Sequence, residues 1–269
     1  MMKAKVKKYL LLSGAGVMFF LLVLIEIFKD SFVEYEYHGE LIYSLASRFV
    51  GGFACLLFLI EFSSGKMLAP KFKLKPFLLF LPCMLIAVNN FPFVPYLVGE
   101  AYVNSSVGHI ILYAAVCLGV GFFEELAFRG CIFSAILQRR GKRPVDVFWS
   151  IVIASAVFGV IHIVNLFAGA SPASVILQVG YSFLIGGMCS VILIKTSNIW
   201  YCVIFHSVYN FAGGVVPECG GGSIWTLPEI ILTAAVSVVV AVYVIALLVK
   251  IKPYEIDALL NEQDSTEQK

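Results

Sequence analysis

Charged residues are scarce in this sequence, and their scarcity excludes a soluble globular domain. Only 13% of the 269 residues are Asp, Glu, Lys or Arg, whereas 60% are hydrophobic. Soluble domains carry about 25% charged residues, and the mean hydropathy of this chain is +0.94. The composition therefore predicts an integral membrane protein that crosses the bilayer many times. The formal net charge is only +2, and we expect no nucleic-acid partner.

Three other patterns are also missing. No apolar run alternates with polar residues as the strands of a membrane barrel do, so the spans must be helices and the fold all-α. The seven cysteines show no CxxC spacing, which argues against a cysteine metal site or a disulfide framework. No HExxH sequence is present, so the chain lacks the helical zinc motif of many metalloproteases.

Eight apolar runs approach or reach the roughly 20 residues that a helix needs to cross the hydrocarbon core. They are Tyr9 to Phe28, Leu41 to Phe62, Pro76 to Val88, Val107 to Leu126, Val147 to Phe167, Ala173 to Ile194, Ile199 to Val216 and Leu227 to Val249. The first run follows lysines but is too long for a secretory signal and lacks a small-residue cleavage site, so we expect a retained span. The third run is short and flanked by prolines.

Lysines and arginines give the orientation of these spans, because they concentrate in cytoplasmic segments. Sixteen of the 19 basic residues lie before the first run, after the last, or in alternate loops between runs. The sequence therefore predicts a bundle of about eight spans with both termini in the cytoplasm. The short lysine-rich chain shows no organelle signal, and we expect the plasma membrane of a bacterium.

The runs divide the chain into three parts. Residues 1–106 hold three spans that we expect to enclose the others, followed by an extracellular loop. Residues 107–216 form a core of four spans that carries most of the intramembrane polar residues. Residues 217–269 hold the last span and a polar tail. We expect the glycine-rich stretch at 219–223 to be only a flexible connection.

Three charged residues lie at and just beyond the end of the fourth run, in the segment GFFEELAFRG. Glu124, Glu125 and Arg129 lie where a charge costs a few kcal/mol, so a functional role is the default hypothesis. On a helix, Glu125 and Arg129 are i and i+4 neighbours on one face, whereas Glu124 points roughly 100° away. We therefore expect Glu125 to pair with Arg129 and Glu124 to remain available for chemistry.

Histidines lie at a matching depth in later spans. Glu124 comes 15 residues before the basic turn at Arg139, and His162 comes 15 residues after Val147, so both lie roughly 22 Å from that turn. His206 and Asn210 are i and i+4 in the seventh run, at a depth of roughly 12 to 18 Å.

A simpler interpretation of His162 is a core histidine packed on Phe158, four residues earlier. Polar residues also serve as hydrogen-bonding contacts between membrane helices, and Asn165, on the same face as His162, is a candidate for this role.

Together these side chains suit the hydrolysis of an amide. A carboxylate at Glu124 can take a proton from water, and the imidazole of His162 can orient that water. Donors from His206 and Asn210 can stabilise the developing oxyanion.

Three segments resemble the motifs of a known family. EELAFR at 124–129, FGVIH at 158–162 and HSVYN at 206–210 are similar to EExxxR, FxxxH and HxxxN of the CAAX protease and bacteriocin-processing family (CPBP, or Abi) of intramembrane proteases. The resemblance covers roughly residues 107–216, and all motif positions match. It implies an endopeptidase that cleaves a membrane-associated protein or peptide near the cytoplasmic side.

The resemblance also implies roles for these residues. Glu124 is then the general base, His162 its partner on the water, and His206 with Asn210 the oxyanion site. Glu125, Arg129 and Phe158 are expected to support the site structurally.

Zinc is an open question for this site. Glu124, His162 and His206 form a set that zinc accepts, with a fourth position left for water. Because the three residues lie on separate spans and no HExxH occurs, we favour a metal-free, glutamate-dependent site with no cofactor.

Two other classes of function remain as alternatives. A scaffold or bacteriocin-immunity protein could keep these residues and act by binding a peptide or a membrane-protein partner. A proton-coupled transporter would use Glu and His in a relay, but it predicts broken helices and an internal repeat, which are absent from the sequence. The expected partners are membrane lipid and a membrane-anchored or leader peptide, for peptide processing or self-immunity.

Overall fold

Helices account for nearly all of the structure, a computed structural model that describes residues 37–62, 67–69 and 73–260. The α-helices are α1 (Tyr37–Phe62), α2 (Leu74–Asn89), α3 (Phe93–Leu97), α4 (Val107–Glu125), α5 (Ser134–Arg140), α6 (Pro144–Ile161), α7 (Pro172–Thr196), α8 (Ile199–Cys219), α9 (Leu227–Leu248) and α10 (Pro253–Leu260). A π-helical segment (Leu126–Phe133) joins α4 to α5, and a 3₁₀ turn (His162–Leu166) follows α6. Two short strands, β1 (Ala101–Val103) and β2 (Gly220–Gly222), complete the described fold.

Six helices within the described ranges are long and apolar enough to span a membrane. The longest is the continuous helix Val107–Arg140, built from α4, the π-helical segment and α5. The third predicted span corresponds to the shorter helix α2, and the first, Tyr9 to Phe28, lies outside the described residues. The all-helical, multi-pass architecture is therefore confirmed.

Local sequence signals set the ends of several helices. The Ser106 hydroxyl accepts a hydrogen bond from the His109 N–H at the start of α4, and Ser171 does the same for Ser174 in α7. The Asn198 side chain caps α8 by accepting from the Trp200 N–H. These side chains satisfy amide groups that have no partner within the first turn of a helix. Pro144 begins α6, where its missing N–H costs nothing.

Helix α4 is the centre of the bundle. It packs against α8 on one side and α1 on another, while α6 packs against α7. Helix α2 lies against α8 and α9. The main core is buried between these helices and includes Leu126, Phe133, Leu193 and Phe205. Residues of the predicted catalytic core therefore lie on helices that contact one another directly.

The glycine-rich stretch at 219–223 is more than a flexible connection, so that expectation is wrong. Strand β2 pairs antiparallel with β1, with Tyr102 opposite Gly221 and Val103 opposite Gly220. A Cβ atom on Gly220 or Gly222 would collide with the backbone of the facing strand. Glycines are therefore needed here because the two backbones approach too closely for side chains.

Gly121 provides a test of the central α4–α8 contact. A Cβ atom at this position would lie 2.9 Å from the Val203 carbonyl oxygen and even closer to the Ser207 hydroxyl. We expect Gly121→Ala to push α4 away from α8 and to destabilise the protein by about 1–3 kcal/mol, as overpacking generally does. Thermal unfolding of the detergent-solubilised protein measures the change. Gly108→Ala, on the same helix with nothing within 4 Å, is the matched control and should not lower stability.

Candidate active site

A buried ion pair supports the site. The Arg129 Nη1 atom lies 3.0 Å from Glu125 Oε1, and the two side chains are 2% and 0% exposed. The guanidinium also lies over the ring of Phe158, 4.0 Å from its centroid, a cation–π contact. The predicted pairing of Glu125 with Arg129 is therefore present, and Phe158 contacts the same pair.

The helix changes its hydrogen bonding at this pair. Residues from Leu126 to Phe133 adopt a π-helical conformation, which the sequence did not predict because a single glycine, Gly130, is compatible with a continuous α-helix. The Ser134 hydroxyl donates to the Arg129 carbonyl at 3.1 Å, which satisfies a backbone oxygen in this widened turn. Such π-helical turns occur frequently at functional sites.

Glu125 has a second partner on another helix. The His206 Nδ1 atom lies 2.7 Å from Glu125 Oε1, the oxygen that also faces Arg129. Because a carboxylate only accepts hydrogen bonds, Nδ1 is the donor and the orientation of the ring is fixed. Helical spacing did not predict this contact, because it relates Glu125 only to Arg129.

The fixed ring directs the other nitrogen of His206 toward Glu124. The His206 Nε2 atom lies 3.7 Å from Glu124 Oε2, beyond hydrogen-bonding distance. The Glu124 side chain is 17% exposed, whereas that of Glu125 is completely buried. Two adjacent glutamates therefore occupy different environments, one enclosed between a cation and an imidazole and the other at the edge of a cavity.

His162 is held by its own helix. Its Nδ1 atom lies 2.8 Å from the Phe158 carbonyl oxygen, so Nδ1 carries the proton and the neutral ring has its lone pair on Nε2. The edge-on ring of Phe158 contacts both histidines, with centroids 5.1 Å from His162 and 5.9 Å from His206. Phe158 thus packs against both imidazoles as well as Arg129.

The four predicted catalytic residues share one cavity of about 110 Å³. A single water needs only about 10–15 Å³ of such volume, so this cavity is large enough for several waters. Its lining consists of Val120, Glu124, Phe158, His162, Gln178, Tyr181, Ser182, Ile185, His206, Tyr209 and Asn210.

Gln178 is a lining residue that no sequence motif indicated. Its Oε1 accepts a hydrogen bond from Asn165 Nδ2 at 2.7 Å, which ties the 3₁₀ turn to α7. The expectation that Asn165 makes a contact between helices is therefore confirmed. With its oxygen engaged, Gln178 has its amide hydrogens left as donors. The sequence offered one signal for Gln178, because it is a polar residue within the mostly apolar helix α7.

The potential zinc ligands do not form a ready site. The ligand atoms of Glu124, His162 and His206 do not all lie within 4.8 Å of one another, whereas a tetrahedral zinc ion with bonds of about 2 Å requires closer approach. In the described part of the chain, the ligand atoms of Glu125, Cys189 and Cys202 do lie within 4.8 Å of one another. Glu125 already faces Arg129, however, and the nearby cation opposes a second one.

A comparison with models of known protein families supports the resemblance over the core of the chain. A family model described as "Rce1-like: Type II CAAX prenyl endopeptidase Rce1-like" matches residues 106–212. That range includes all three motifs and the four spans that line the cavity. No curated protein and no solved structure matches the chain significantly. The resemblance to the CAAX protease and bacteriocin-processing family is confirmed by this match.

Removal of Arg129 tests the role of the buried pair. We expect Arg129→Ala to destabilise the protein by about 3–5 kcal/mol, because Glu125 would remain buried without its cation. The yield of monodisperse protein and its thermal unfolding in detergent measure this effect. Arg143→Ala is the comparison, since it removes an ion pair with Asp146 in which the arginine is 78% exposed. If both variants unfold at the same temperature as the wild type, the buried pair has no structural role.

Proposed function

Because residues 106–212 match the family model of Rce1-like type II CAAX prenyl endopeptidases, we propose that this integral membrane protein hydrolyses a peptide bond of a membrane-anchored protein or leader peptide. The proposed site lies inside the bundle, at the level where α6 ends just before His162 and where α7 carries Gln178 near its start. The observation that supports it is the shared cavity in which Glu124, His162, His206 and Asn210 meet.

Water activation is assigned to Glu124 and His162. Glu124 is the partly exposed member of the glutamate pair, and no hydrogen bond joins it to His206 at 3.7 Å. A water in the cavity can donate one hydrogen to the Glu124 carboxylate and the other to the lone pair on His162 Nε2. Glu124 then takes the proton as the water oxygen attacks the carbonyl carbon of the substrate.

The stabilisation of the negative charge that develops on the carbonyl oxygen is assigned to His206 and Asn210. With Nδ1 donating to Glu125, the His206 ring in its protonated form has a second N–H, on Nε2, that faces the cavity. Asn210 adds a carboxamide donor from the same face of α8. Donors held in place in this way stabilise an oxyanion without reorganisation during the reaction.

Collapse of the tetrahedral intermediate completes the hydrolysis. The bond between the carbonyl carbon and the amide nitrogen breaks, and the proton held by Glu124 moves to the leaving nitrogen. The products are a carboxylic acid and an amine, with one water consumed. No step requires a metal ion, so we propose a glutamate-dependent reaction.

The substrate is proposed from the chemistry of the site and from the family. The family is described as acting on CAAX prenyl proteins, and the cavity lies among helices long enough to span a membrane. We therefore propose a peptide that reaches the site from the bilayer, anchored by lipid or by an apolar segment. Processing of leader peptides and self-immunity to bacteriocins are both consistent with such a substrate.

Substitution of Glu124 separates catalysis from binding. We expect Glu124→Gln to reduce cleavage of prenylated and membrane-anchored reporter peptides by about 10²–10⁴-fold, because the general base is lost. His206→Ala should also reduce cleavage strongly. The assay uses purified full-length protein in liposomes, with peptide fragments identified by mass spectrometry. Glu61→Gln, at the end of α1, is the control and should cleave like the wild type.

Two results would contradict the proposal. Unchanged cleavage by folded Glu124→Gln would remove this residue from the mechanism. Absence of cleavage by folded wild-type protein over a broad panel of reporters would favour a scaffold or immunity protein that binds its partner without turnover.

A chelator tests whether a metal takes part. We expect cleavage by the wild type to persist after treatment with a strong chelator and dialysis, because the proposed mechanism uses only side chains and water. A zinc-dependent metalloprotease run in parallel should lose its activity. Loss of cleavage that added zinc restores would instead assign Glu124, His162 and His206 to a metal site.

A further inference from the structure

A second, larger cavity lies beside the candidate active site. This apolar groove has a volume of about 470 Å³, within the range of about 300–1,000 Å³ typical of small-molecule sites. Helices α2, α6, α7 and α9 form most of its walls, and Tyr209 of α8 adds to them. Its lining includes Ile86, Ile151, Leu184, Met188, Val240 and Ile245.

The apolar groove opens toward the surface of the bundle. Leu184 on α7 is 70% exposed, and Ile245 on α9 is 58% exposed, although both line the groove. Helix α9 lies against α2 but fully buries only Glu229 and Val240, so much of its surface is exposed at the edge of the bundle. In a bilayer, the medium that reaches such an opening is hydrocarbon.

The walls favour a hydrocarbon chain over a peptide. Among the described residues, none with a charged side chain lines the groove. Its two asparagines are engaged, Asn89 with the Thr233 hydroxyl at 3.0 Å and Asn90 with the Tyr209 carbonyl at 2.8 Å. An extended peptide would bring one N–H and one C=O per residue to these walls, and each unsatisfied group costs several kcal/mol there. An acyl chain brings none.

One end of the apolar groove meets a region rich in basic residues. A smaller cavity of about 210 Å³, here called the rim pocket, shares Leu248 with the groove. The rim pocket also includes Lys142, whose ammonium group pairs with Asp257. The two chain segments that include its lining residues, 139–148 and 248–257, contain six basic and three acidic residues. The excess positive charge is complementary to an anionic headgroup.

We propose that the apolar groove and the rim pocket together form a binding site for one anionic phospholipid. An acyl chain occupies the groove between α7 and α9, and the phosphate lies near Lys142 at the rim pocket. The lipid fills the space between α9 and the rest of the bundle. Without it, the side chains that line this space would lack packing partners. This site is separate from the proteolytic proposal and needs no turnover.

Glycines on α7 provide matched variants for a test. A Cβ atom on Gly187, which lines the groove, would lie 3.7 Å from the Ser155 hydroxyl and 3.8 Å from Ile151, ordinary contact distances. The Cβ atom of Gly187→Leu therefore fits the helix packing, and the substitution adds apolar volume at a position that lines the groove. Gly180→Leu is the control on the same helix, with nothing within 4 Å of its Cβ. Ala241→Leu fills the groove from the opposite wall, on α9.

Native mass spectrometry of the full-length, delipidated protein measures binding directly. Phosphatidylglycerol and phosphatidylcholine with identical chains are added in separate titrations. We expect one phosphatidylglycerol to bind to the wild type and to Gly180→Leu. Binding to Gly187→Leu and Ala241→Leu should weaken by roughly tenfold or more. The loss of contact with two methylene groups of the acyl chain is enough to lower the affinity by that factor.

The headgroup contact has its own variants. Lys142→Gln should reduce the preference for phosphatidylglycerol over phosphatidylcholine, whereas Lys75→Gln, at the start of α2 and outside both cavities, should not. Circular dichroism and size-exclusion chromatography confirm that each variant is folded.

Three results would overturn the proposal. Equal binding by both groove variants and the wild type would show that the lipid lies elsewhere. Equal affinity of the wild type for the two phospholipids would exclude recognition of an anionic headgroup. Retention of a lipidated peptide in place of phospholipid, lost in Gly187→Leu, would assign the groove to the substrate.

Discussion

The buried carboxylate of Glu125 is the constraint on which the site depends. A charge that is fully removed from water must be paired, and Glu125 meets both the guanidinium of Arg129 and the imidazole of His206. These contacts join one turn of the central helix to the helix beside it. Because His206 is held by this carboxylate, the position of its second nitrogen follows from a buried contact that lies behind the cavity lining.

The same constraint distinguishes two adjacent glutamates. Glu125 is enclosed among positively charged and aromatic groups, whereas Glu124 lies at the edge of a cavity large enough for water. A carboxylate that already pairs with a cation and an imidazole is a poor base, whereas one that faces water is a useful base. The proposed division of work between these residues therefore arises from their positions around the helix, since their chemistry is identical.

Helical periodicity was sufficient to predict part of this arrangement. The i to i+4 spacing predicted the Glu125–Arg129 pair, and counting residues from the basic turn predicted that Glu124 and His162 lie at one depth. Both follow from the regular rise of a helix. The all-α, multi-pass fold was equally accessible, because a long apolar run with few charges is the typical signature of a membrane-spanning helix.

Contacts between helices were not accessible in this way. Periodicity gives the depth of His206 but not the rotation of α8 that brings it to Glu125, and the role of Gln178 depends on the packing of α7 against the 3₁₀ turn. The π-helical segment and the pairing of β2 with β1 were missed for a related reason. Glycine permits several backbone conformations, and packing against neighbours selects among them.

The two cavities meet at a common wall that relates the chemistry to the membrane. Tyr181, Ile185 and Tyr209 line both the polar cavity and the apolar groove, and the two tyrosine rings lie 6.0 Å apart. Hydrolysis inside a bilayer requires water on one side of this wall, while an apolar surface on the other side excludes it. An aromatic wall meets both needs because each ring presents an apolar face and a polar hydroxyl. In the proposed reaction, the anchor of the substrate stays in lipid while its peptide bond reaches water, and these three residues form the boundary between an apolar and a polar space.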